Sequence, residues 1–341
     1  MRAGRWFLES GIQEPSGGVA RFHHTDLNRN AAISTEITGY TISTLVYFFR
    51  ATQDQSYLES ARRAASYLVG TAWDEQGSTI PFEPLRADGG GFSYFFDCGI
   101  IVRGLLALWR VTKDNVLFDR AKQIALSMAF DFIGDGCFHP IVELPEKQPL
   151  AYETRWSRTP GCYQLKSALA WRDIAEASTE PQPVHLWKQM LAYSLATHEA
   201  FLPGDASPEN VMDRLHAYCY FLEAILAEPD SAECREALRV GIEKAGALLR
   251  EIRPLFERSD VNAQLLRVRI LAANLRILAI DEPAAQEEAR AIGTFRREDG
   301  GFWFGRKPSG FLPYSNPVST AFCAQGLEMY AGRETTLHDL I

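Results

Sequence analysis

Residues 34–70 read STEITGYTISTLVYFFRATQDQSYLESARRAASYLVG. Apolar residues recur at i, i+3 and i+4, which predicts two helices, 34–51 and 55–70, rather than strands. The first is apolar almost all round and must be buried. The second carries charge on one face and suits an outer layer that covers the first. Between them stands Thr52-Gln53-Asp54, where Asp54 is placed to cap the second helix.

The same plan recurs at once. An apolar helix over 96–112 is followed by a one-faced helix over 115–130, with Thr112-Lys113-Asp114 at the junction. Less regular pairs follow at 161–178 with 184–200, 209–227 with 232–252, and 260–279 with 283–295. A last helix over 316–331 has no successor, and an opening helix over 2–12 has no predecessor. Pairing the two gives about six hairpins and closes a ring, which leaves no apolar face uncovered.

A second repeat runs in phase with the first. SGGVARF (16–22), QGSTIPF (76–82), GDGCFHP (134–140) and DGGFWFG (299–305) each follow an outer helix. Each reads as a tight turn that needs positive φ, leading into a short extended aromatic segment. In architecture the whole chain resembles the (α/α)6 toroids of the six-hairpin glycosidase superfamily. It is also similar to the helical C-terminal domain of glucuronyl C5-epimerases. DGGFWFG with NPVSTAFCAQGLEMY resembles the repeat of terpenoid cyclases and prenyltransferases. The implied fold is all-α, one (α/α)6 toroid over 1–341, with the N-terminal helix closing the ring against the C-terminal one.

Composition narrows the partners. The net charge of −8 disfavours a nucleic-acid backbone. The apolar runs are too short to insert in a membrane. The six cysteines are scattered without a CxxC pair and read as reduced, buried thiols. MRAGRWFLESGIQEPSGG has no apolar signal core, so a cytoplasmic location is expected. The sequence does not specify an oligomeric state.

In a ring of hairpins the long loops gather over the N-termini of the inner helices, and here 12–33, 73–95 and 131–160 are long. The site is expected there. Glu36 and Tyr40 open the first inner helix, Tyr94 and Asp97 the second, and Tyr163 and Gln164 the third. Asp213 and His216 open the fourth, and Tyr314 and Asn316 the last. Caps account for some of these, and Asp213 and Asn316 are ordinary cap or first-turn types. The helix dipole favours ionised Glu36, hence a base, nucleophile or substrate clamp. Asp97, set between phenylalanines and a cysteine in YFFDCGII, is expected to be held protonated by burial and to act as general acid.

The third loop, AYETRWSRTPGCYQLK (151–166), brings Glu153, Arg155, Trp156 and Arg158. Aromatic faces stack on sugar rings and arginine forks bind carboxylates, so an acidic sugar would use both. The first loop adds His24 and Arg29, and the last adds Trp303. No metal or other cofactor is expected. His23-His24 are adjacent, Asp97-Cys98 lacks the spacer of an Asp-x-Cys pair, and no Asp-x-Asp-Asp run occurs. The Gly-rich ADGGGF (87–92) reads as flexible, in the position of a lid.

The function expected is glycoside hydrolysis of an oligosaccharide or polysaccharide, uronic-acid-containing ones included, by a carboxyl pair led by Glu36 and Asp97, with Glu153 or Asp213 as substitute. The first alternative is a uronate epimerase or lyase, which would rely on Arg155, Arg158, Tyr40, Tyr163 and His216. The others are a prenyltransferase-like or cyclase-like toroid and a non-catalytic glycan-binding protein.

Overall fold

In the computed structural model, residues 2–178, 181–205 and 207–341 are described. The two Thr-x-Asp junctions form alike. Asp54 accepts from the backbone N–H of Ser56 at 3.0 Å and Asp114 from that of Val116 at 3.0 Å. The middle residues, Gln53 and Lys113, take φ of 60° and 59°, which ends one helix and turns the chain into the next.

Twelve α-helices result among the described residues: α1 (Arg2–Glu9), α2 (Thr35–Thr52), α3 (Gln55–Ser66), α4 (Phe95–Thr112), α5 (Asn115–Asp131), α6 (Leu165–Ala177), α7 (Gln182–Thr197), α8 (Pro208–Ile225), α9 (Ala232–Ile252), α10 (Ser259–Asn274), α11 (Glu282–Thr294) and α12 (Pro317–Tyr330). The even-numbered helices form the inner ring. α2 packs on α4, α4 on α6, α6 on α8, α8 on α10, α10 on α12, and α12 returns to α2. The odd-numbered helices form the outer layer, and α1 packs on α12, α2 and α3. The toroid and its terminal closure are therefore as expected. α10 is shorter than the predicted 260–279, because Arg276 turns into positive φ at 58°.

Small residues set the spacing of the inner ring. A Cβ on Gly104 of α4 would lie 2.4 Å from the carbonyl oxygen of Gly39 on α2. One on Gly99 would lie 2.4 Å from the carbonyl oxygen of Ser167 on α6.

Each of the four repeated turns is closed by a single backbone bridge: Gln13 with Val19, Asp74 with Thr79, Ile133 with Phe138, and Arg296 with Phe302. Positive φ falls on Gly17, Gly136 and Gly300, but on Ser78 rather than Gly77 in the second turn. Beyond the turns, the loops form three small antiparallel sheets over the inner N-termini. His23–His24 pairs with Arg29–Asn30 and with Tyr314–Ser315. Gly91–Tyr94 pairs with Ile141–Leu144, which continues to Gln148–Pro149. Glu257–Arg258 pairs with Gly305–Lys307, which continues to Gly310–Phe311. The Gly-rich 87–92 is thus not a free lid: Arg86 to Gly90 make a tight turn, and Gly91 and Phe92 are strand residues paired with Leu144 and Glu143.

Candidate active site

Over the N-terminal ends of the inner helices opens a cavity of about 570 Å³. Its lining includes Glu36, Asp97, Asp213 and His216 from the helices, and Arg21, Arg155 and Arg258 from the loops. Aromatic walls come from Phe22, Phe82, Tyr94, Phe96, Trp156, Tyr163, Tyr220, Phe304 and Tyr314, with His24, Pro140, Ser157 and Asn316 between them.

Glu36 stands in the first turn of α2 behind the cap Ser34, whose hydroxyl accepts from Ile37 N–H. Burial raises its pKa to about 7 despite the nearby positive charge of Arg21. The expectation of a strongly ionised Glu36 is therefore corrected: loss of water outweighs the helix dipole. Asp97 stands in the first turn of α4, but Tyr94, not Asp97, holds the cap position. It is 5% exposed, and its Oδ2 is buried without a hydrogen-bond donor among the described residues. Burial, and then the charge of Glu36, push its pKa well above the usual carboxylate range.

Behind Arg258, which lines the cavity, Asp260 of α10 is held by that arginine through a two-pronged contact, Nε to Oδ1 at 2.9 Å and Nη2 to Oδ2 at 2.7 Å. Arg258 also bonds Asp213 at 2.6 Å and lies over the Phe304 ring at 4.5 Å. Asp213 sits in the second turn of α8 rather than the first, because α8 begins at Pro208 behind the cap Ser207.

His216, one turn further along α8, donates from Nδ1 to Gln264 at 2.7 Å and accepts at Nε2 from the Tyr220 hydroxyl at 3.0 Å. That pattern defines a neutral imidazole. Burial, followed by the charge of Arg258, lowers its pKa to about 4.

The arginines differ in what already neutralises them. Arg21 is paired with Glu83 and lies 4.5 Å from the Phe82 ring centre. Arg258 is paired twice. Arg155 has no ion pair among the described residues. Arg158, by contrast, is bonded to Glu153 at 2.5 Å, and both lie outside the cavity lining.

Other residues singled out from the sequence are placed elsewhere. Tyr40 is buried below the cavity, edge-on to Phe322 with ring centres 5.6 Å apart. Gln164 is a structural side chain, accepting from Gly161 N–H and donating to Phe138 O, each at 3.1 Å. Trp303 stacks on Phe311 outside the lining, and Arg29 is an exposed strand residue. Asn316 both caps α12, accepting from Ser319 N–H at 2.8 Å, and lines the cavity.

Residues not foreseen include Arg21, Phe22, Phe82, Phe96, Pro140, Tyr220, Arg258 and Phe304. A signal existed for half of these. Phe22, Phe82, Pro140 and Phe304 stand at or next to the end of the four repeated turn motifs. All four of these turn ends reach the cavity lining.

Among the described residues, one trio has the spacing of a metal site, Asp173, Glu176 and His338, outside this cavity. Arg103 and Arg110 already neutralise its one buried acid, Asp173. Among the described residues, no helix is long and apolar enough to cross a membrane, and the six cysteines are all free thiols.

The chain matches no protein-family model and no curated protein sequence. Among solved structures it is similar to the cellobiose 2-epimerase of Spirochaeta thermophila DSM 6192, with a TM-score of 0.71 at 15% identity, over 97% of this chain and 96% of that one. A family 76 glycoside hydrolase from a bovine Bacteroides thetaiotaomicron strain gives a TM-score of 0.64 at 12% identity, over 96% and 76% of the two chains. A family 88 glycosyl hydrolase from Bacteroides vulgatus gives 0.61 at 11%, over 96% and 97%. The fold that the chain shares with these structures is the (α/α)6 toroid. At these identities the likeness is one of architecture, and architecture alone does not fix chemistry.

Proposed function

We propose that this chain is a carbohydrate-active enzyme that hydrolyses glycosidic bonds in an oligosaccharide or polysaccharide. The observation that carries this reading is the pair of acids, Asp97 and Glu36, set in one aromatic-walled cavity with both pKa values raised. The pair titrates as a unit. Once its first proton has left, the second stays on Asp97, which is the more buried residue and has no hydrogen-bond donor on Oδ2 among the described residues. Asp97 then gives that proton to the glycosidic oxygen as the bond from that oxygen to the anomeric carbon breaks. Ionised Glu36 takes a proton from water as the water oxygen bonds to that carbon. The aromatic walls supply faces for the sugar rings, and Arg155, which has no ion pair among the described residues, supplies a cation for a sugar carboxylate. Uronic-acid glycans are therefore the favoured substrates.

The hydrolases among the similar structures act in the same sense. The epimerases among them support a second reading, favoured here by one observation: neutral His216 with the Tyr220 hydroxyl hydrogen-bonded to it in the cavity wall. The two are separated by incubating glycans in D2O and following them by NMR. Hydrolysis gives new reducing ends and no carbon-bound deuterium; epimerisation gives deuterium at a ring carbon with the chain intact. Loss of new reducing ends in both Asp97→Asn and Glu36→Gln supports the acid pair. Full activity in either variant rejects it.

A further inference from the structure

Among the described residues, the loops that wall the cavity are tied to one another all the way round the ring. A site that cuts within a long chain needs a groove with two low sides, so that the chain can enter at one and leave at the other. Here each of the six sectors is tied to the next. The loops before α2 and α4 are joined by the Arg21–Glu83 ion pair and by Thr35 N–H to Phe82 O at 3.1 Å. The loops before α4 and α6 share the sheet from Gly91–Tyr94 to Ile141–Leu144. Tyr163 meets Phe201 of the loop before α8, with ring centres 6.2 Å apart. Arg258 bonds Asp213 across the next junction. Glu257–Arg258 pairs with Gly305–Lys307, and Tyr314–Ser315 returns to His23–His24.

The ring axis is closed as well. Beneath the acids lie the buried rings of Tyr40, Tyr220 and Phe322. Below them is a fully buried ionic cluster, Lys166 with Glu223 at 2.9 Å and Arg267 with the same carboxylate. Residues after α12 then fold across the far end. Leu340 and Ile341 are each 2% exposed, and Arg103 donates to Leu337 O at 2.9 Å and Leu340 O at 3.3 Å. Gln325 donates to Asp339 O at 2.6 Å. Among the described residues the cavity is thus a cup, walled by the tied loops and closed at its base.

We infer that the site acts on chain ends: a glycan enters end-first, its terminal part is held at the level of Asp97 and Glu36, and the product leaves by the same mouth. A cavity of about 570 Å³ is of small-ligand size and holds a few sugar units at most. The inference rests on the glycan reading of the previous subsection and adds the part of the glycan that is recognised.

The test uses hexasaccharides of the malto, cello, manno and galacturonic series in three forms: free, blocked at the reducing end with 2-aminobenzamide, and blocked at the non-reducing end with a 4,6-benzylidene or equivalent bulky group. Binding is measured by calorimetry on Asp97→Asn, and cleavage by chromatography on the unmodified protein. The expected result is that one block weakens binding at least tenfold while the other leaves it within threefold, and that cleavage shortens the free chain from one end stepwise. Equal binding of all three forms, or internal fragments among the first products, overturns the inference. A chain bound by the variant with that end preference but uncut by the unmodified protein overturns hydrolysis and leaves end recognition standing. A panel that binds in no form overturns both.

Discussion

Glu36 in the first turn of α2 and Asp97 in the first turn of α4 line one cavity, and the charge of Glu36 adds to burial in keeping Asp97 protonated. A working pair needs one proton between the two carboxyls. Because Glu36 titrates near 7, the pair holds both protons below that pH and loses its base. We predict that kcat/KM falls about tenfold per pH unit as pH drops below about 7. A rate profile that is flat from pH 5 to 8 would refute the assignment.

Asp97→Asn should separate activity from stability. Activity is expected to drop by about 10²–10⁴-fold. Stability moves the other way. The folded-state pKa of Asp97 lies above its unfolded value, so the contribution of its proton is complete below the unfolded pKa and is lost as pH rises. Each unit costs about 1.4 kcal/mol until the folded pKa is passed. An asparagine carries no such cost, so Tm should rise by several degrees at pH 8 and be unchanged at pH 4. A variant less stable than the parent at pH 8 would count against a buried, uncompensated carboxyl.

Arg258 holds Asp260, which is 1% exposed. Arg258→Met strands that carboxylate with, among the described residues, only the Ser319 hydroxyl, at 3.2 Å, as a side-chain donor. The expected cost is about 3–5 kcal/mol by chemical denaturation. A cost below about 1 kcal/mol would mean that the pair contributes no more than an exposed one.

Gly104→Ala sets helix propensity against packing. Propensity alone favours alanine by about 1 kcal/mol. The new Cβ would meet the carbonyl oxygen of Gly39 at 2.4 Å, and neither helix has room to part without opening the ring. A net loss of about 1–3 kcal/mol is expected; a gain would show that the α2–α4 contact is slack.

Arg155 faces the cavity without an ion pair among the described residues, so its role is readable by ligand stabilisation. At 100 times its Kd a ligand adds about 2.7 kcal/mol. A uronic-acid oligosaccharide should raise Tm by a few degrees, and Arg155→Ala should abolish that shift while leaving the unliganded Tm within about a degree. Equal shifts in both proteins would remove the carboxylate from that position.

The periodicity of 34–70 and its echo at 96–130 determined the layered hairpins, because burial on all sides and burial on one side write different patterns into a helix. The Asp54 and Asp114 caps and the phase of the four turns were equally local and equally legible. That Asp97 would be deprived of water could be read from its phenylalanine and cysteine neighbours.

What the sequence by itself did not determine lies in which residues meet across the ring. Glu36 looked ionised because a helix dipole acts within one turn, whereas its burial comes from loops tens of residues away. Arg158 and Arg155 are three positions apart and equally basic, yet only the fold pairs one with Glu153 and leaves the other facing the cavity. Tyr220 and Arg258 carry no local mark. They enter the site because α8 and α10 stand side by side, and desolvation and ion pairing depend on neighbours that only the closed toroid brings within reach.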